Sequence, residues 1–111
     1  KQDRFWIEPF EMDLSMLKRK GGPEEGMKFP EPREAWDERV NKMKASISRG
    51  WEPAPLVAEF KDGMFVIADG GHRIDALQKL GYLKYWTVIW ANTEKEYEDA
   101  IMKLNKKFPN F

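Results

Sequence analysis

The segment Val66-Ile67-Ala68-Asp69-Gly70-Gly71-His72-Arg73-Ile74-Asp75-Ala76-Leu77 constrains this chain more than any other. An apolar, β-branched run stops at two glycines and a helical apolar pattern begins at once, so a strand must turn directly into a helix. Such a turn gathers the unpaired N–H groups and the positive dipole end of the helix, which together can hold an anion. Glycine lets the backbone adopt φ > 0 and lie close to a phosphate. His72 and Arg73 fall in the first helical turn, where the dipole disfavours a cation unless an anion compensates it. His72 is the single histidine, and the sequence places no partners nearby that would make it a metal site. A purely structural alternative stands beside this one: Asp69 caps the helix, the glycines fit a tight turn, and Arg73 pairs with an acid such as Asp75 or Glu59.

The flanking pattern predicts the rest. Residues 4–14 contain Phe5, Ile7 and Phe10 around Pro9, which suggests a short edge strand interrupted by the proline. Six of the twelve residues from Gly21 to Pro32 are Gly or Pro, which predicts a flexible loop, and one this long in a small domain is functional or disordered. Trp36, Val40, Met43 and Ile47, at spacings of 4, 3 and 4, form one stripe of a helix that Gly50 ends. Pro55–Phe60 and Met64–Ala68 read as strands joined at Lys61-Asp62-Gly63 into an antiparallel hairpin. The second helix runs from about Gly71 to Leu80, stopped by Gly81. Tyr85–Trp90 reads as a buried strand, with Trp86 and Trp90 on one face as core or interface residues. Thr93 to Glu96 reads as a capping box opening a last helix that buries Tyr97, Ile101, Leu104 and Phe108. Strand, loop, helix, hairpin, helix, strand and helix describe a single α/β (α+β) domain over residues 1–111, a small mixed sheet flanked by helices.

Composition narrows the partners. The 19 Lys and Arg balance 19 Asp and Glu, and neither half of the chain is a charged tail, so net charge gives no support to binding DNA. Zero Cys excludes disulfides, thiolate metal sites and thiol chemistry. No run approaches the roughly 18 apolar residues of a membrane span, and Lys1-Gln2-Asp3-Arg4 opens no apolar signal region, so a cytoplasmic protein with no membrane partner is expected. Lys18-Arg19-Lys20 is expected to be a solvated loop, since Glu24 and Glu25 follow. Trp51 is expected in the core rather than as a stacking surface for a base, Lys106 and Lys107 suit a helix end, and Met12, Met16, Met27 and Met64 are expected to pack.

From about Arg39 to Trp90, the Ser46-Ile47 helix end, Gly50, Pro55-Leu56-Val57, the Asp69-Gly70-Gly71-His72-Arg73 box and Leu80-Gly81 follow one another in an order that resembles the ParB/sulfiredoxin-like superfamily. In sulfiredoxins the box is Gly-Cys-His-Arg. Here Gly71 stands at the cysteine's place, so sulfinic-acid repair is not available, while the implied phosphate contacts of His72 and Arg73 survive. ParB partition proteins carry a Gly-Glu-Arg-Arg type box ahead of a DNA-binding module, for which the 30 residues after Gly81 are too few. The best resemblance is to the archaeal free-serine kinase type, with an Asp-Gly-His-His-Arg box and a Leu-Gln-Lys-Leu-Gly helix end, matched here by Leu77-Gln78-Lys79-Leu80-Gly81.

This resemblance implies a nucleotide (ATP, ADP or CTP) bound at the turn from Asp69 to Arg73, with Gly70 and Gly71 supplying N–H donors, His72 and Arg73 gripping phosphate, and Asp69 contacting Mg²⁺ or the ribose. Glu31 and Glu34 lie where that branch has its catalytic base, and His72 stands with them as a catalytic candidate. Asp69 is the candidate Mg²⁺ ligand, with a helix cap as its alternative role. A phosphotransferase or NTP hydrolase with a small-molecule or protein acceptor is the leading expectation, since positioning and charge neutralisation carry phosphoryl transfer. A DNA-binding partition module or nuclease is the alternative. Arg73→Ala is expected to abolish nucleotide binding with little change in melting temperature.

Overall fold

The computed structural model describes residues 3–109, so Lys1 and Gln2 of the opening stretch lie outside it. The chain runs β1 (Phe5–Asp13), a single 3-10 turn (Leu14–Met16), β2 (Leu17–Lys18), β3 (Gly21–Gly22), β4 (Phe29–Pro30), α1 (Arg33–Ser48), β5 (Leu56–Lys61), β6 (Met64–Asp69), α2 (Gly71–Lys79), β7 (Lys84–Ala91) and α3 (Glu94–Lys107). A five-stranded mixed sheet has the order β1-β7-β5-β6-β2, and β3 and β4 form a separate parallel pair.

Register explains which side chains are buried. Opposed residues share a sheet face, so the pairs Ile7 with Ile89, Ala58 with Ile67 and Phe60 with Phe65 put one apolar layer on one side. Helix α3 covers that layer, with Phe5 against Tyr97 and Phe10 against Phe108. Leu56, Ala58, Phe65, Ile74, Leu77, Ile89 and Leu104 are sealed within the core. β1 is an edge strand, as the sequence predicts, but Pro9 does not interrupt it: a bulge between Ile7 and Phe10 absorbs the proline and pairing with β7 continues to Asp13. The α1 stripe of Trp36, Val40 and Ile47 is buried, and α1 packs mainly on α2.

Several expectations are corrected. Residues 21–32 are not all loop, because Phe29 N–H donates to the Lys20 carbonyl (3.1 Å) and Glu31 N–H to the Gly22 carbonyl (2.9 Å), building the β3–β4 pair. Trp51 is exposed rather than in the core: Gly50 leaves α1 at φ +104°, and the Trp51 ring lies beside Lys42, Met43, Ser46 and Arg49. Trp86 and Trp90 share a face, as parity predicts; of the two, Trp90 is buried under the Arg4 guanidinium, 3.8 Å from its ring centroid, and Trp86 is exposed. Met64 is exposed next to the hairpin turn, while Met12 is in the core. Among the described residues no helix is long and apolar enough to cross a membrane.

Candidate functional site

The turn between β6 and α2 opens onto a cavity of about 530 Å³. Its geometry begins with a bulge. Asp69 pairs with Val57 while Ile67 pairs with Ala58, so Ala68 is the extra residue and Asp69 is turned off the face that buries Ile67. The Asp69 side chain is 76% exposed as a result.

Gly70 follows as the N-cap of α2 at φ +116°, ψ 24°, with no side-chain cap. Only glycine fits there: a Cβ would meet Leu56 Cδ2 at 2.8 Å and Arg73 Nη2 at 3.0 Å. Asp69 is therefore not the cap; instead its Oδ2 accepts from Arg73 Nη2 at 3.2 Å. The first turn of α2 keeps N–H groups without a side-chain partner, and Gly70, Gly71, His72 and Arg73 all line the cavity. Gly71 needs no special conformation, since a Cβ there would lie 3.5 Å from the Trp36 ring in ordinary contact.

Three more elements close the cavity. Glu31 sits between Pro30 and Pro32, and a residue before proline is held extended. Its N–H is fixed on Gly22, and its Oε2 lies 3.2 Å from His72 Nε2. Trp36, in the first turn of α1, stacks on the His72 ring with centroids 4.1 Å apart, and its Nε1 donates to Asp75 Oδ2 at 2.7 Å. Arg19 reaches in from the segment after β2, with its guanidinium carbon 4.8 Å from the Trp36 ring centroid and Nη2 donating to Glu24 Oε1 at 2.9 Å. Gly22 makes room for it, because a Cβ there would stand 2.7 Å from Arg19 Nη1.

The structure thus gathers Glu31, Asp69, Gly70, Gly71, His72 and Arg73 around one cavity, and leaves Glu34 out. Glu34 is on the exposed side of α1 beside Asp37, Glu38 and Asn41. Arg19 was hidden in a charge run that reads as solvated loop, yet its side chain is only 17% exposed. The partners proposed for Arg73 are also corrected: Asp75 serves Trp36 and Lys79, and Asn92 donates to Glu59, which leaves Arg73 to Asp69.

Electrostatically, the cavity matches basic side chains with carboxylates. Arg19, His72 and Arg73 each have an acidic partner, in Glu24, Glu31 and Asp69 respectively. Arg19 Nη1 and Arg73 Nε are nevertheless buried with no hydrogen-bond partner among the described residues, a costly state for a charged donor. Because Arg73 is largely buried and also reaches the Pro55 carbonyl at 3.5 Å, its removal must cost stability, contrary to the small change in melting temperature expected from sequence. Among the described residues no three His, Asp or Glu side chains come together as a metal site. Asp69, as one exposed carboxylate, fits Mg²⁺ only as the protein's share of a coordination shell completed by ligand phosphates and water.

No protein-family model matches the chain, and no curated protein matches it in sequence. Solved structures do. Sulfiredoxin from Arabidopsis thaliana superposes with a TM-score of 0.55 at 21% identity, over 83% of this chain and 94% of that one. A Pnob8-like ParB-N domain gives 0.58 at 18% identity, over 97% of this chain, and a free serine kinase in complex with AMP gives 0.51 at 23% identity, over 80% of it. The chain spans 39% of the ParB structure and 31% of the kinase. Across these three, the common element is the fold: the protein is a small α+β domain with the ParB/sulfiredoxin-like architecture.

Proposed function

We propose that this domain binds the phosphate groups of a nucleotide at the Asp69–Arg73 turn and uses them in phosphoryl transfer or nucleotide hydrolysis. One observation carries the reading: an uncapped helix start, forced by Gly70 at φ +116°, shares a cavity with His72 and two largely buried arginines, Arg19 and Arg73. An anion entering there meets first-turn N–H donors and charge-assisted donors together. The AMP bound to the free serine kinase, a protein of the same fold, supports a nucleotide as the source of that anion.

In this reading the N–H groups of Gly70 and Gly71 cradle the phosphates, and Arg73 neutralises charge that builds up as the terminal phosphoryl group departs. Glu31 is the base. It accepts the proton of the attacking hydroxyl, from an acceptor or from water, while the bond from phosphorus to the bridging oxygen breaks and the shortened nucleotide leaves. His72, 3.2 Å from Glu31, orients that carboxylate and faces the same cavity. Mg²⁺ would supply charge neutralisation on the phosphates, and Asp69 is the residue that would hold it. Sulfinic-acid repair has no thiol to work with, because the chain contains no cysteine.

Calorimetric titration with AMP, ADP, ATP, CTP and tripolyphosphate, with and without Mg²⁺, tests the reading. The wild type should bind at one site and melt higher when saturated. Arg73→Ala should lose at least about tenfold in affinity, the net worth of one charge-assisted hydrogen bond. Equal affinity in the variant removes the site. The likeness to the ParB-N domain, which runs along 97% of this chain, keeps a DNA-directed module as the second reading. A duplex gel shift that weakens steeply with salt, beside a nucleotide titration without heat, decides for it.

A further inference from the structure

We infer that Trp36, held by Asp75, is a positioning residue that sets the orientation of His72 and Arg19 at the cavity; this rests on the phosphate-binding reading for its consequence, but not for its geometry. A tryptophan at this point of an amphipathic helix needs only to be apolar to fill the core. Trp36 does more. It is 2% exposed, yet its one polar atom is directed at a carboxylate on a different helix, Nε1 to Asp75 Oδ2 at 2.7 Å. That bond is charge-assisted and part-buried, and Lys79 Nζ holds the same oxygen at 3.2 Å. The indole plane is therefore fixed from α2, and α2 is the helix whose first turn bears His72 and Arg73.

The fixed indole is what the two neighbouring basic side chains rest on. The His72 and Trp36 ring centroids are 4.1 Å apart at an interplanar angle of 31°, and the Arg19 guanidinium carbon is 4.8 Å from the indole centroid. Among the described residues the polar partner of His72 is the Glu31 carboxylate and that of Arg19 is Glu24, both on the segment between β2 and α1. If the indole tilts, the imidazole loses its stacking plane and its approach to Glu31, and the guanidinium loses its seat. Phenylalanine would keep apolar bulk but lose the tie to Asp75, so the hydrogen bond rather than the bulk is the feature to test.

The experiment uses Asp75→Leu, of the same branched shape though bulkier and with no acceptor, and Asp75→Asn, which restores an acceptor oxygen. His72 is the only histidine, so its two ring C–H resonances are assigned without ambiguity in a proton spectrum of the whole chain. In the wild type they should be displaced upfield by the indole ring current. In Asp75→Leu they should move back toward free-histidine positions, with tripolyphosphate affinity falling about tenfold, and Asp75→Asn should restore both. Folding of each variant is checked by the dispersed methyl signals of the core. Unmoved His72 resonances in a folded Asp75→Leu overturn the inference, as does an affinity loss that Asp75→Asn fails to rescue. If the resonances move while the wild type takes up no tripolyphosphate or nucleotide, the positioning stands and the phosphate-binding reading falls.

Discussion

Two of the protein's helices begin in opposite ways. At the start of α3, Thr93 Oγ1 accepts the Glu96 N–H at 3.1 Å, and Glu94 and Glu96 place negative charge at the positive end of the helix. Every rule of helix initiation is obeyed, and the helix delivers Ala100 and Leu104 to the core. At the start of α2 the cap is a glycine in the left-handed region, the first turn holds no acid, and Arg73 puts a cation where the dipole repels it. The difference teaches where stability has been given up. Both α1, at Pro32, and α2, at Gly70, start without a side-chain cap, but α1 carries Glu34 in its first turn whereas α2 has no acid there, and the α2 turn lines the cavity that gathers the buried arginines.

The comparison can be broken most severely at Gly70. Gly70→Ala should lose about 1–3 kcal/mol from the strained backbone alone, with more from the collision at Leu56 and Arg73, and phosphate binding should go with it. Gly71→Ala, one residue on, should stay within about 0.5 kcal/mol of the wild type, because its Cβ meets only the Trp36 ring at 3.5 Å. Urea unfolding of the pair measures both, and equal stabilities would show that the α2 turn is not special.

Thr93→Ala tests the other side. It should cost about 1 kcal/mol and leave ligand affinity untouched, a separation of stability from binding that no change at the α2 start should reproduce.

The smallest effect is expected at Asp13, which caps the 3-10 turn much as Thr93 caps α3. Hydrogen bonds from the Ser15 hydroxyl and N–H hold its carboxyl below the usual carboxylate range, helped by Lys107, while partial burial opposes them. A lowered folded-state value stabilises the protein above the ordinary carboxylate pKa, and the contribution is lost as pH falls through the folded value. Ser15→Ala should thus melt slightly lower than the wild type at neutral pH, and the gap should close in acid. A gap that widens in acid reverses the sign and refutes the assignment.

Much of this was legible because it repeats. The 4, 3, 4 spacing of Trp36, Val40, Met43 and Ile47 and the turn at Lys61-Asp62-Gly63 are local signals, and both helix and hairpin are where they point. Strands β2, β3 and β4 have two residues each, too short for any periodicity, so the arm that β3 and β4 build reads as loop in the sequence. That arm carries Glu31, which is why the sequence left Glu31 and Glu34 undistinguished as candidate bases. Spacing also shows that Trp36 faces inward, but a hydrogen bond 39 positions away to Asp75 exists only once α1 lies on α2. Arg19 escaped for a related reason: a guanidinium in a basic run reads as solvated until an indole is found beneath it. Trp51 differs in the opposite direction: it follows the helix-ending Gly50, and its ring lies along the last turns of α1 with nearly half its surface exposed.

The central claim, that the α2 start is held open for phosphate, is tested most directly by following backbone amide resonances during a titration with ATP. The largest shifts should fall on the N–H groups of Gly70, Gly71, His72 and Arg73, saturating at one equivalent, with those at the start of α3 unmoved. Shifts spread over both helix starts, or none at residues 70–73, would contradict it.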